Sequence, residues 1–187
     1  PLLFTDIIES PGHRAAMNIL TRHRLCESFG VEPGELIDIL AWAMENPCET
    51  ETVDRESAPV MENKMEKVDI SRLPIPWHYR EDGGRYQSAS IIIAQYRGLR
   101  NTSFHRQLLK SSDRSSVRLV PRHLRTMADQ ANESDDEIPI AVVNGPDPLV
   151  LLAAAMSFNE PLDELLVASA LHERLYGSKL KLVELPN

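Results

Sequence analysis

Between residues 88 and 120 three strand-like runs follow one another with connections too short for anything but reversals. Residues 88–96 are rich in Ile, and residues 101–110 and 117–120 follow after Arg97-Gly98-Leu99-Arg100 and Ser111-Ser112-Asp113. A parallel crossover needs a dozen or more residues, so these runs are expected to form a meander of antiparallel strands. Downstream the period changes repeatedly. Residues 121–132 read as a helix, 138–143 as a strand, 148–156 as a buried helix, 161–176 as a helix and 179–185 as a strand. Upstream, residues 2–8 suit a buried strand, and Ser10-Pro11-Gly12-His13 is loop chemistry. Residues 21–29 stop at Gly30, and residues 33–44 set Leu36, Ile37, Leu40, Ala41 and Met44 at helical spacing behind Pro33, which predicts two helices. The fold class is α+β.

Residues 45–67 are acidic and hold no sustained period, after which Ser71-Arg72-Leu73-Pro74-Ile75-Pro76 stiffens the chain. A boundary near residue 70 is expected, dividing the chain into residues 1–70 and 71–187. At 187 residues the chain can bury a core without disulfides. It carries 20 Lys plus Arg against 28 Asp plus Glu, a net charge of −8 with no basic block to neutralise a phosphate backbone, which argues against a nucleic-acid partner. Cys26 and Cys48 have neither disulfide-framework nor zinc spacing, and a reducing cytoplasm is the simplest location. The most apolar window, residues 138–158, is broken by Asn144-Gly145-Pro146-Asp147-Pro148, so no uninterrupted bilayer span is expected. The chain opens Pro1-Leu2-Leu3-Phe4 without an initiator Met or a basic leader, and reads as trimmed at that end.

Several polar residues stand out. Asp82-Gly83-Gly84-Arg85 is a tight turn, read first as a loop where only Gly fits and second as a phosphate cradle. In the run starting at Asn101, a period of two sends Asn101, Ser103 and His105 to one face and Thr102, Phe104 and Arg106 to the other. For Arg106 to serve the same ligand as Asn101 and Ser103, a bulge or strong twist must bring it round. His123 follows Pro121-Arg122 at a helix start, and Glu164 lies in the first turn of another helix, where an acid is favoured without any function. One amide, one imidazole and one carboxylate would suit Mg²⁺ or Mn²⁺ bridging to a phosphate if they converged.

Ordered segments resemble the UbiD-type decarboxylase family, whose members use prenylated FMN. They are Asp82-Gly83-Gly84-Arg85-Tyr86-Gln87-Ser88-Ala89, Arg100-Asn101-Thr102-Ser103-Phe104-His105-Arg106, Pro121-Arg122-His123-Leu124, Ile140-Ala141-Val142-Val143-Asn144-Gly145, and Leu151-Leu152-Ala153-Ala154-Ala155-Met156 with Asp163-Glu164 beyond it. The opening Pro1-Leu2-Leu3-Phe4 and closing Val183-Glu184-Leu185-Pro186-Asn187 also fit.

The resemblance implies a split β-barrel like that of flavin reductases, with helices, beside part of an N-terminal α/β domain. It implies that Asn101, His123 and Glu164 hold Mn²⁺ (or Mg²⁺) against the phosphate of prenylated FMN, with K⁺ nearby. Ser88, Ser103, Arg106, Arg122 and Met156 would contact the cofactor. Arg106 would be catalytic, its fork of donors holding a carboxylate in register. The implied reaction is a non-oxidative decarboxylation of an unsaturated or aromatic carboxylic acid, with the modified flavin as electron sink. A flavin prenyltransferase would supply the cofactor, and family members form homo-oligomers through a C-terminal domain. The Phe104-His105-Arg106 version and the Ser-Pro-Gly start resemble archaeal members, some of which act on a phosphorylated mevalonate derivative.

The family's catalytic glutamates normally follow the segment matching residues 182–186, while this chain stops at Asn187. It reads as a portion cut on both sides, needing a C-terminal region or a partner chain. The competing expectation is a module that binds FMN or an anion without decarboxylating.

Overall fold

The computed structural model describes residues 1–8, 10–157 and 162–185. In chain order the elements are β1 (Leu2–Phe4), β2 (Ala15–Met17), α1 (Arg22–Phe29), α2 (Pro33–Glu45), β3 (Glu51–Val53), β4 (Tyr86–Gln87), β5 (Ile91–Tyr96), β6 (Leu99–Phe104), β7 (Gln107–Leu109), β8 (Ser115–Val117), α3 (His123–Glu133), β9 (Ile140–Val143), α4 (Pro148–Ala154), α5 (Glu164–Tyr176) and β10 (Lys181–Val183). They group into two compact units, one of Pro1–Ile39, Lys64–Ser88 and Arg106–Val117, the other of Leu40–Asn63, Ala89–His105 and Arg118–Asn187. The architecture is mixed helix and strand.

In the first unit β1 pairs antiparallel with β2, and β4, β7 and β8 form an antiparallel sheet in the order β4-β7-β8. The Gly83-Gly84 turn enters β4. Gly84 has φ +152°, a backbone conformation that L side chains rarely adopt, and a Cβ there would also press on Leu108 Cδ1 of β7 at 3.0 Å, so the turn favours a glycine. Next to it the Arg85 guanidinium donates to three carbonyls, Ile75 at 2.8 Å and Ser71 and Leu73 at 2.9 Å each. The proline-rich stretch has few backbone donors of its own, and one rigid five-donor fork holds it. The turn is thus a packing device, as its first reading has it.

The second unit is built on an antiparallel sheet of order β6-β5-β9. Alternation along β5 places Ile92, Ala94 and Tyr96 on one face, where they bury against Leu124, Met127 and Ala131 of α3. These helix residues recur at the three- and four-residue spacing that makes one apolar stripe. Burying a side chain such as Ile92, at 1% exposure, contributes roughly 1.5–3 kcal/mol. Helices α4 and α5 pack against each other and against β6. Asp147 and Asp163 cap them, each accepting from the backbone N–H two residues on, at 2.8 and 3.0 Å, and Gly177 ends α5 in the left-handed region at φ 72°.

A parallel pair, β10 with β3, lies beyond α5. Ser169 of α5 ties it in: its hydroxyl donates to the Glu49 carbonyl at 2.9 Å and accepts from Leu180 N–H at 3.3 Å.

The antiparallel reading of residues 88–120 holds, with one correction. The expected single run over 101–110 is two strands, because pairing stops at Phe104 and resumes at Gln107, and β6 and β7 belong to different sheets. Among the described residues the strands form four separate sheets and no closed barrel. Strand β1 covers only part of the expected 2–8 run and is exposed rather than buried, β8 begins before the expected 117–120 run, and β2, β3 and β4 are additional to the expected strands. The expected helix start at Pro161 and the closing Pro186-Asn187 lie outside the described residues. No helix among those described is long and apolar enough to cross a membrane.

Candidate functional site

Strand β6 is an edge strand, so alternate backbone N–H groups point away from β5 and need a partner. The start of α5 supplies it. Thr102 N–H donates to Glu164 Oε2 at 2.7 Å, and Asn101 Nδ2 donates to the other carboxylate oxygen at 2.9 Å. One residue back on both elements, Arg100 donates to Asp163 Oδ2 through Nε at 2.8 Å and Nη2 at 2.7 Å. Consecutive residues of the strand therefore grip consecutive residues of the helix terminus.

Glu164 is only 4% exposed, and its described hydrogen-bond partners are neutral donors. Burial pushes its carboxyl up to about 7, outweighing the N–H groups of Thr102 and its own backbone and the Asn101 amide, all of which favour the ionised form; the Asp163 charge adds to the rise. Arg100 is committed to Asp163 and does not offset the charge on Glu164. A buried carboxylate in that condition takes a proton or a cation.

The period-two face is present as read. Ser103 Oγ lies 2.9 Å from Asn101 Oδ1, to which it donates, and 2.9 Å from His105 Nε2. A hydroxyl has one hydrogen, so Ser103 serves these two neighbours as donor one at a time. Burial lowers the pKa of His105, opposed by a hydrogen bond with the Arg118 backbone.

His123 is the first residue of α3, half-buried, and lines a cavity of about 190 Å³ with Leu99, Arg100, Thr126, Met127, Gln130 and Leu162. It shares that cavity with Arg100, which precedes Asn101, and with Leu162, two residues before Glu164, and not with Asn101 or Glu164 themselves. Arg122 occupies the N-cap position of α3, exposed, with its guanidinium on the Ser157 hydroxyl, and the half-buried Met156 precedes that serine. Ser88 and Arg106 belong to the first unit. Ser88 is exposed and hydrogen-bonded to His78 at 3.2 Å, and Arg106 is exposed in the break between β6 and β7. The structure brings together Asn101, Ser103 and His105, the face expected from the period of two, and sets Glu164 against Asn101, a proximity that only the resemblance implied. Sequence reasoning misses Arg100 and Asp163 as a pair, although an Asp just before an apolar helical run is a recognisable cap.

Among the described residues no group of three or more His, Cys, Asp and Glu side chains is placed to hold a metal. The expected set contains one imidazole and one carboxylate, with an amide as its third member. Its chemistry fits a hard divalent ion: a carboxylate and an amide oxygen with one imidazole, the carboxylate buried and bonded among the described residues to neutral donors.

Strand edge, buried carboxylate and amide define a mixed α+β scaffold with an oxygen-rich polar site. The chain belongs to the UbiD family, since residues 51–187 match the family model described as 3-octaprenyl-4-hydroxybenzoate carboxy-lyase Rift-related domain. The anhydromevalonate phosphate decarboxylase of Methanothermobacter thermautotrophicus is 37% identical over 155 residues, covering 82% of this chain and 36% of its own length. The UbiD-class enzyme HmfF from Pelotomaculum thermopropionicum, solved as an evolved dimeric form in complex with prFMN, superposes with a TM-score of 0.82 at 34% identity over 89% of this chain and 39% of its own. The apo 3,4-dihydroxybenzoic acid decarboxylase AroY of Klebsiella pneumoniae shares the fold, with a TM-score of 0.84 at 23% identity over 99% of this chain and 40% of its own. The chain thus spans well under half the length of these relatives.

Proposed function

We propose that this chain is the cofactor-binding portion of a prenylated-FMN-dependent, non-oxidative decarboxylase of unsaturated or aromatic carboxylic acids. The observation that carries the reading is the buried Glu164 carboxylate, held by Asn101 and Thr102, with no cationic side chain among its described hydrogen-bond partners. The prFMN complex of HmfF, at 34% identity, supports the same cofactor here.

In this reading Asn101, His123 and Glu164 hold Mn²⁺ (or Mg²⁺) for the cofactor phosphate, with K⁺ alongside. Ser88, Ser103, Arg122 and Met156 contact the cofactor, and Arg106 both contacts it and holds the substrate carboxylate ionised and in register. When bound, the prenylated flavin supplies the electron sink for loss of CO₂. Residues 71–187 form the cofactor-binding part, with its strands contributing to a split barrel, and residues 1–70 are part of an N-terminal α/β region. The relatives named anhydromevalonate phosphate decarboxylase favour an unsaturated acid carrying a phosphate as substrate. The chain works in the cytoplasm as a homo-oligomer, completed by further chain or by a partner, and a flavin prenyltransferase supplies its cofactor.

A second reading is a module that binds FMN or an anion without decarboxylating; what supports it is that the side chains gathered around Glu164, Asn101 and through it Ser103, are polar groups suited to holding a ligand, while Arg106 lies exposed in the break between β6 and β7. Loading the chain with prenylated FMN and Mn²⁺ and measuring retained flavin after desalting tests the first reading. Retention by the wild type and weaker retention by Asn101→Ala support it, and no retention by folded protein overturns it. Retained flavin, with no CO₂ released from any unsaturated acid by a chain extended to the length of its relatives, favours the second.

A further inference from the structure

We propose that Arg100 and Asp163 are positioning residues for the metal site, a clasp that fixes the Glu164 carboxylate in register with Asn101; the inference rests on the metal-site reading above. Three observations carry it. Arg100 and Asn101 are adjacent on β6, as Asp163 and Glu164 are at the start of α5, so the two contacts form a ladder that leaves the helix terminus little freedom to slide or roll. The grip is two-pronged, with Nε and Nη2 both on Asp163 Oδ2, and both side chains are largely shielded from water, at 26% and 20% exposure. Asp163 also spends its other oxygen on Leu165 N–H, at 3.0 Å, so the residue held by Arg100 is the one that sets where α5 begins.

Glu164 itself cannot fix this register. Once its oxygens turn toward a cation, its hydrogen bonds to Asn101 and Thr102 weaken, and the neighbouring ion pair is what remains to hold the terminus on the strand edge. Metal ligands are commonly oriented by such supporting contacts, whose loss lowers metal affinity by roughly 10–100-fold.

Charge and position must be separated, because Arg100→Met alone leaves an extra negative charge near the ion and Asp163→Asn alone leaves an extra positive one. The combined variant Arg100→Met/Asp163→Asn has the net charge of the wild type. Asn caps a helix about as well as Asp, and Met preserves the apolar stem of Arg. Mn²⁺ binding to the full chain is measured by calorimetry and by the linewidth of the Mn²⁺ paramagnetic resonance, together with thermal unfolding of the metal-free protein.

The proposal expects the combined variant to unfold near the wild-type temperature, to bind Mn²⁺ about tenfold more weakly and to show an altered linewidth. Wild-type affinity and linewidth in that variant would overturn it while leaving the metal-site reading intact. Equal Mn²⁺ affinity in wild type and Glu164→Gln would instead remove the metal site, and the clasp with it. If the combined variant does not fold, Arg100→Lys keeps the charge but not the planar fork; a several-fold loss of Mn²⁺ affinity supports the clasp, and unchanged affinity overturns it.

Discussion

Asn101 donates its side-chain amide to Glu164 at 2.9 Å across 63 residues of sequence, and both side chains are buried. The contact joins the open edge of β6 to the first turn of α5. It satisfies one oxygen of a carboxylate whose other oxygen serves the Thr102 N–H, and it leaves the negative charge without a described counter-charge.

The first consequence is a pH dependence. The Glu164 carboxyl is raised from 4.5 to about 7 in the folded chain, so between those values the folded state binds more protons than the unfolded state, and stability falls as pH rises. The metal-free chain should lose on the order of 3 kcal/mol between about pH 4.5 and pH 7 from this group and level off above. Urea unfolding in the presence of a chelator, repeated across that range with wild type and Glu164→Gln, isolates the contribution. Parallel pH curves for the two would contradict it.

Replacing the charge should reverse the cost. Glu164→Gln can accept from Thr102 N–H while its amide faces a flipped Asn101, so the metal-free variant should be as stable as the wild type or more so above pH 7, by about 1–3 kcal/mol. It should also lose the rise in melting temperature that Mn²⁺ gives the wild type. A melting series with and without Mn²⁺ checks both, and a variant still stabilised by Mn²⁺ would place the ion elsewhere.

Metal and proton compete for the same carboxylate. The stabilisation by Mn²⁺ should therefore grow as pH rises through the window in which Glu164 ionises, opposite in sign to the trend of the metal-free chain. Thermal shifts at fixed Mn²⁺ across that range show this directly, and a shift independent of pH would be the contrary result.

The β5–α3 interface offers a test of the scaffold. Ile92, at 1% exposure among Leu124, Met127 and Ala131, should cost about 3 kcal/mol when cut to Ala, measured by chemical unfolding. A loss below about 1 kcal/mol would mean that the sheet face is not packed as described.

Local signals made much of the fold readable from the sequence. Gly30 and Gly177 end their helices in the left-handed region, and Pro33 and Pro148 open theirs. The alternation that grouped Asn101, Ser103 and His105 appears as a hydrogen-bonded row. Pairings between distant residues left no such trace. Strand β3 is three residues long with two exposed, and it exists through parallel pairing with β10, which local propensity does not report. Likewise Glu164 reads as an ordinary first-turn acid, because its burial comes from a strand edge remote in sequence. The break at His105-Arg106 is invisible to a period-two count, which runs straight through it.

The most direct measurement is an anomalous difference map at the manganese edge from crystals of the chain grown with Mn²⁺. The account predicts one strong peak within bonding distance of the Asn101 side-chain oxygen, a ring nitrogen of His123 and the Glu164 carboxylate. A fully ordered site with no peak there, or a peak bound to other side chains, would contradict it.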